Sequence, residues 1–524
     1  MWQPFVVLGL FYGAVVALLY ITQQRDRVDF EEYAVGGRRY GPAYIGMSYV
    51  QSWFPGAMFV AFVALGVNIG TLMYYCLAYS LLGLTAMYFM ANRAWRWGQR
   101  HQLRSQPHLL ELRYDSSGVK LVASVVGIAA IMPWVILGLQ AMAILFEVSS
   151  NGAWSLTTCL LLGMAVIVVR QYWTVRMGMR GLIMSDMLQG IVAYLVAALV
   201  CVIILADKNS PAPYGNLAHL PEKLTSLPGM EGTGYGPLYV FSLIFMGVIG
   251  ALAWPMSFQR IYTASGVKSV KSGTVYAIGI AGVFYGFLTI FTLAAATWPK
   301  AIEAPNLTWF SALQEYGGVW LLGLGVVMVL GASMGHVDGS IQVAGLQIAN
   351  DLVHHFRPLK DHQLTIVAKG SMVVYMAIAA ILAYVTIEMA RLQLLAQMSY
   401  YLVIQISVPL FLGLFTKFGN RWGAMMGMIA GSVVAIVLTV EWIDDIPALG
   451  GLTAGMVGLI VNFVTYAVVS LLTGQSEEDK KRVDELFLEA LPPVKRQALG
   501  LDPVVGPVTT MQAEPAVVSE GEQP

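Results

Sequence analysis

The sequence predicts an all-α polytopic membrane protein with thirteen spans and a five-plus-five inverted-repeat core. Three observations predict it. Of 524 residues, 57% are hydrophobic and 11% are charged, where soluble domains carry about 25% charged residues. Mean hydropathy is +0.67, which suits lipid better than water. Thirteen apolar segments are long enough to cross a bilayer at about 20 residues each, and two of them are broken by proline at matching places.

The segments lie near 3–22, 44–70, 72–92, 119–147, 154–170, 181–206, 237–257, 272–297, 318–347, 366–386, 393–415, 422–441 and 448–473. The first has no Lys or Arg before it and no small-residue cleavage site, and Arg25 and Arg27 follow it. It reads as a retained helix with its N-terminus outside. Alternate loops then divide the positive charge unequally. One set holds Arg25, Arg27, Arg38 and Arg39, then Arg93, Arg96, Arg100, Arg104 and Arg113. It continues with Arg176, Arg180, Lys268, Lys271, Arg357, Lys360, Lys417 and Arg421. The other set holds Lys208, Lys223, Lys300 and Arg391. The positive-inside rule places the rich set, and the C-terminus, in the cytoplasm.

The chain divides accordingly. Residues 1–22 form an extra N-terminal span, and 44–206 a first repeat of five spans. Residues 237–415 form a second repeat, 422–473 two further spans, and 474–524 a cytoplasmic tail. In the tail, Ser476 and Asp479 suggest a capping box for a short helix with Val483, Leu486 and Phe487 on one face. Beyond Pro492–Pro493 disorder is expected.

The second span contains Trp53-Phe54-Pro55-Gly56, and the seventh contains Ala253-Trp254-Pro255. Each opens a group of five spans. Five is odd, so the second group is inverted relative to the first. Broken helices at matching positions of inverted repeats point to a midplane binding site. Unwound backbone survives in a membrane where it lines a cavity, and its freed carbonyls can hold a cation. The alternative is an ordinary proline kink, which is how Pro133 and Pro409 are read.

Composition excludes other classes. Lys plus Arg equals 30 and Asp plus Glu equals 30, so no basic face for nucleic acid is expected. Cys76, Cys159 and Cys201 all lie in apolar runs and make neither a disulfide framework nor a CxxC pair. No HExxH, haem-type histidine pairing or Ser–Lys dyad supports enzyme chemistry, and no cofactor is expected.

Six stretches, in order, resemble motifs of the sodium/solute symporter family, the group that includes bacterial proline and sugar symporters. They are VGGRRYGPAYIGMSYVQSWFPGAMFVAF (35–62), PHLLELRYDS (107–116), GMRGLIMSDMLQG (178–190), WPMSFQRIYTASGVKSVKSG (254–273), LGASMGHVDGS (330–340) and PLFLGLFTKFGNRWGAMMG (409–427). The resemblance covers roughly 1–475. It implies a LeuT-type five-plus-five fold with one extra N-terminal and two extra C-terminal helices, in a bacterial-type cytoplasmic (inner) membrane.

Ionisable groups deep in spans are costly and are functional candidates by default. The resemblance places Asp186 and Gln189 at positions associated with cation passage; the alternative is a packing hydrogen bond. Asp338 is expected to form a gate contact or a structural pair with Arg260. The resemblance also implies a sodium site. Its parts would be the carbonyls of Gln51, Phe54 and Ala332 and two hydroxyls at the positions held here by Gly335 and His336. Sodium is a hard cation that wants oxygen. Gly335 supplies no side-chain oxygen and His336 supplies nitrogen, so the usual site is expected to be absent. The unperturbed pKa of histidine, about 6.5, suits titration in a water-accessible cavity, so His336 could carry a proton, with Asp186 as a second carrier. A bland account remains open: Gly331, Gly335 and Gly339 form a close-packing stripe, and His336 donates one hydrogen bond to a carbonyl.

For the solute, Gln51, Trp53, Gln140 and Trp254 are candidate pocket residues, with packing as the alternative for the two tryptophans. Gly247 and Ala251 precede the second break and would leave room for a sizeable solute. No deep arginine beside the breaks is evident as a counter-ion for a carboxylate. The expected function is symport of a small organic solute, coupled to H⁺ or with atypical Na⁺ dependence. The alternatives are a conventional sodium-coupled symporter and a transporter-like solute sensor. Membrane lipid is the other expected partner, and protein partners are left open.

Overall fold

The computed structural model describes residues 2–23, 29–227, 235–387, 392–442 and 444–501. Among them there is no β-strand, only two isolated bridges. Helix is the natural choice in lipid, because each backbone N–H and C=O finds its partner within its own segment. Helices α1 (Gln3–Thr22), α2 (Pro42–Trp53), α3 (Ala61–Ile69) and α4 (Tyr74–Arg100) open the chain. A short α5 (Gln106–Tyr114) leads to α6 (Ser117–Ser149), α7 (Leu156–Met177), α8 (Met179–Gly190) and α9 (Ala197–Ala206). The second half runs α10 (Tyr239–Ala253), α11 (Pro255–Thr263), α12 (Val267–Ala295), α13 (Thr308–Gln347), α14 (Asp361–Thr386) and α15 (Leu392–Phe415). Then come α16 (Arg421–Glu441), α17 (Ala454–Thr473), α18 (Glu477–Glu489) and α19 (Pro493–Ala498).

Among the described residues, eleven helices are long and apolar enough to cross a membrane, or twelve if the bent pair α10 and α11 is one span. The protein is therefore a multi-pass membrane protein. One of the eleven is the 45-residue run Gly56–Arg100, which holds both α3 and α4. Pro133 and Pro409 lie inside α6 and α15, which continue through them. Helix starts follow side-chain chemistry. Ser116, Ser155, Asn420 and Thr453 each accept a backbone N–H at the head of α6, α7, α16 and α17. Between α7 and α8 the chain turns at Gly178, at φ +63°, where an added Cβ would sit 2.4 Å from the Tyr33 carbonyl oxygen.

The arginine-rich segments meet at one end of the bundle. Arg38 donates to the Leu103 carbonyl at 2.7 Å and Trp95 to the Ala264 carbonyl at 2.8 Å. The tail helix α18 docks at the same end. Ser476 caps it, Val483 and Leu486 are buried, and Phe487 lies under Arg93 at 4.3 Å. Beyond Pro492–Pro493, where disorder is expected, the chain instead forms the short helix α19, and Arg496 donates to the Leu488 carbonyl at 2.8 Å; residues 502–524, the rest of that stretch, lie outside the described residues.

Candidate functional site

Both breaks are present and face each other. Between α2 and α3, Phe54 and Pro55 are extended, and a tight turn at Gly56–Phe59 follows. Between α10 and α11, Trp254 is extended and the helices bend by 44°. Pro255 supplies the reason for the second break, since its ring removes a donor and fits the first turn of a new helix. Ser52 and Ser257 approach to 3.4 Å across the two breaks. Further along, Tyr40 and Ala264 form a parallel bridge, with Tyr40 accepting from Ser265 N–H at 3.0 Å.

An aromatic cluster fills the space beside the breaks. Trp254 lies 5.5 Å from Tyr400 and 6.3 Å from Trp134, and Trp134 lies 5.5 Å from the His336 ring. Trp53 and Ala251 converge on Gly83 of α4, where an added Cβ would meet them at 2.9 and 2.8 Å. The structure thus brings Trp53, Gly247, Ala251 and Trp254 to one region. The room expected at Gly247 is filled: its Cβ position is 2.5 Å from the Tyr79 ring. The cavity left between Tyr79, Tyr400 and Gly247 is about 20 Å³, enough for about one water. Gln140 lies apart from this group. Its amide reaches Thr386 of α14 at 3.0 Å, near the far end of α6.

The expected ion positions gather between α2, α8, α9 and α13, but not as a ring of open oxygens. The Phe54 carbonyl accepts the Tyr194 hydroxyl at 2.5 Å. Tyr194 is aimed there from a π-helical turn, Ile191–Val196, that joins α8 to α9. Gln51 points its amide at the Gly331 carbonyl, 2.6 Å away. Ala332, Gly335 and His336 are buried on α13. Neither His336 ring nitrogen has a partner at hydrogen-bond distance, although the Ser52 backbone lies alongside. Gln189 is fully buried, and neither end of its amide is paired.

The buried charges pair differently from expectation. Arg260 does not reach Asp338. It lies 3.7 Å from Asp186, and both share Ser48, whose hydroxyl is 2.5 Å from the Asp186 carboxylate and accepts from Arg260 at 3.0 Å. Asp338 instead pairs with Arg170 of α7 at 2.9 Å and accepts from Gln171 at 2.7 Å. Arg170 also donates to Ser185 at 2.6 Å. The reason is reach: α7 and α8 stand on the side of α13 that carries Asp338, while α11 presents Arg260 toward α2. Arg170 sits at the edge of the apolar segment 154–170 and so reads as a boundary residue in sequence, whereas α7 runs on to Met177 and buries it. The absence of a deep arginine is likewise corrected, since Arg170 and Arg260 are both fully buried. Their charges are already engaged by carboxylates. Trp134, Tyr194 and Tyr400 were also missed; nothing separates them in sequence from packing aromatics.

Comparison with known proteins gives one consistent result. Residues 33–431 match the family described as the sodium:solute symporter family. An uncharacterized symporter of Bacillus subtilis, YhjB, is 23% identical over 89% of this chain and 97% of its own length. A sodium/proline symporter of Staphylococcus aureus is 21% identical over 93% of this chain and 97% of its own. Among solved structures, a Na⁺-coupled sialic acid symporter in a substrate-bound outward-open state aligns with a TM-score of 0.72 at 14% identity, over 91% of this chain and 99% of that one.

Proposed function

The chain belongs to the sodium:solute symporter family, and on that premise we propose that it is a secondary active symporter that carries a small organic solute across the cytoplasmic membrane with a proton as coupling ion. The observation that carries the coupling is His336. It is buried beside the first break, tilted against Trp134 with 5.5 Å between ring centroids, and its ring nitrogens have no side-chain partner among the described residues, only the Ser52 backbone alongside. Imidazole is the side chain whose ordinary titration lies nearest neutral pH, and it offers nitrogen where a sodium ion needs oxygen. The membrane potential drives either ion equally, at about 2.3 kcal/mol per charge per 100 mV. The exchange of sodium for a proton therefore keeps the electrical driving force while changing the ligands required.

Thirteen spans with the N-terminus outside fit this reading. The run Gly56–Arg100 would be about 67 Å as one helix at 1.5 Å per residue, about twice a bilayer core. Gly70, at φ +64°, interrupts it between α3 and α4. Counting it as two passes and adding the bent pair gives the full number. The solute region is Trp53, Trp254, Gly247 and Ala251, enclosed by Tyr79 and Tyr400. No buried charge there is free to meet a charged solute among the described residues, which favours a neutral one.

The test begins with a thermal-shift screen of the purified protein against a metabolite library, since a ligand stabilises the state it binds. The solute found is then followed into proteoliposomes under separately imposed pH and sodium gradients. Uptake should follow the pH gradient, and His336→Ala should weaken that response strongly. Strong sodium-driven uptake, indifferent to pH and unchanged in His336→Ala, would overturn the proposal.

A further inference from the structure

We propose that the Gln51 side chain is a tethered replacement for a coupling cation, closing the seam between the broken span and α13 without sodium. The seam is the place where α2 ends and its carbonyls lose their helical partners. In a membrane interior such carbonyls need donors or a cation. Here the Phe54 carbonyl finds a donor in the protein, and an amide of α2 ties that helix to α13. Tyr194 donates to the Phe54 carbonyl at 2.5 Å. Gln51 is completely buried and donates its amide to the Gly331 carbonyl of α13 at 2.6 Å.

The fit between Gln51 and α13 is specific. A Cβ placed on Gly335 would lie 2.1 Å from Gln51 Nε2 and 2.3 Å from its Cγ. Any side chain at 335 would occupy the volume the amide now fills, so the absence of a hydroxyl at 335 and the presence of an amide at 51 are two halves of one arrangement. The same amide also stands beside α8, with Oε1 3.5 Å from the Cβ position of Gly190. One neutral side chain thus ties α2 to α13 beside the break. A bound cation would do the same work, but it would come and go with its concentration and carry charge through the field. An amide on a covalent stem does neither. Helix approach at this seam is then independent of sodium, and the residue decides which ion the protein does not use.

The proposal rests on the symporter reading only in treating the seam as a coupling site, and its test does not need transport. Radiolabelled sodium binding is measured on the purified full chain. Wild type should show no saturable binding, and the double variant Gln51→Ala, Gly335→Ser should gain it, because a cavity and a hydroxyl appear together. Saturable binding by wild type, or a folded double variant that binds none, overturns the proposal. A thermal double-mutant cycle guards against a variant that fails to fold. Gly335→Ala should lower Tm by several degrees in the wild-type background and by much less with Gln51→Ala, and equal losses in both backgrounds overturn the proposal. If the cycle and the binding come out as expected while the screened solute is never accumulated, the symporter reading falls and the seam assignment stands.

Discussion

Arg170 and Asp338 show how little freedom a charge has at this depth. Both are fully buried and 2.9 Å apart. Removing one partner leaves the other charged and unpaired, a loss of about 3–5 kcal/mol for buried pairs. Arg170→Gln and Asp338→Asn are each expected to reduce folded yield sharply. The double variant should recover much of it, since two neutral amide groups can still bond Ser185 and Gln171. Fluorescence-detected size exclusion of the three variants measures this. A double variant as poor as the sum of the two would show that the residues act separately. The Asp186–Arg260 contact is looser at 3.7 Å, and each of the two carboxylates keeps one oxygen without a hydrogen bond. Of the two ion pairs, that of Asp186 is therefore the weaker.

At the scale of elements, α18 acts as a strap. Arg482 donates to the carbonyls of Leu112 and Arg113, and Trp97 of α4 donates to the Leu486 carbonyl at 2.8 Å. His101 meets Glu489 at 2.8 Å, and Lys417 meets Asp484 at 2.6 Å. The strap thus ties α4 to α5 and to the α15–α16 loop. The hydrogen bond from His101 holds the Glu489 carboxyl below its ordinary range. A lowered carboxyl pKa stabilises the docked form above the free value of about 4.3 and loses that contribution as pH falls through the lowered pKa. Glu489→Gln should therefore loosen α18 at pH 7, read as a longer spin-label distance to α4. The difference from wild type should vanish in acid below the lowered pKa. An equal difference at both pH values would place the effect in packing rather than charge. The breaks in α2–α3 and α10–α11 were legible in the sequence because proline leaves a local mark at Pro55 and Pro255. So was the start of α18, through Ser476. The ion-pair partners of Arg170 and Arg260 and the hydrogen-bond partners of Gln51 and Tyr194 were not legible, because they lie on other helices far along the chain, 280 residues away for Gln51, and depend on which helix faces which. A single sequence marks a buried polar residue as expensive without marking who shares it.

For the whole molecule, charge and shape agree on a polarity. The segments bearing Arg38, Trp95, Arg113 and Lys417 are joined to one another and to α18 at a single end. At the other end, Leu238 bonds Gly450, Asn216 bonds Ala294 and Tyr316 bonds Asp207, with Lys208 and Lys300 the nearby positive residues. A basic end is retained on the cytoplasmic side during insertion, so the arginine-rich end with α18 is expected inside and the N-terminus outside. Single cysteines test this well, because Cys76, Cys159 and Cys201 are all buried and give little background. A cysteine at Lys208 or Lys300 should react with an impermeant reagent added to intact cells. A cysteine at Lys268 or Lys480 should react only after permeabilisation. The same pattern bears on the count of spans. If Gly56–Arg100 were a single pass, the loop after α4 and the approach to α2 would lie on opposite sides of the membrane. Arg38 and Leu103, 2.7 Å apart, already argue that they share one. Labelling of a cysteine at Lys480 from outside intact cells would overturn the orientation, and unequal labelling of cysteines at Arg39 and Gln102 would overturn the two-pass reading.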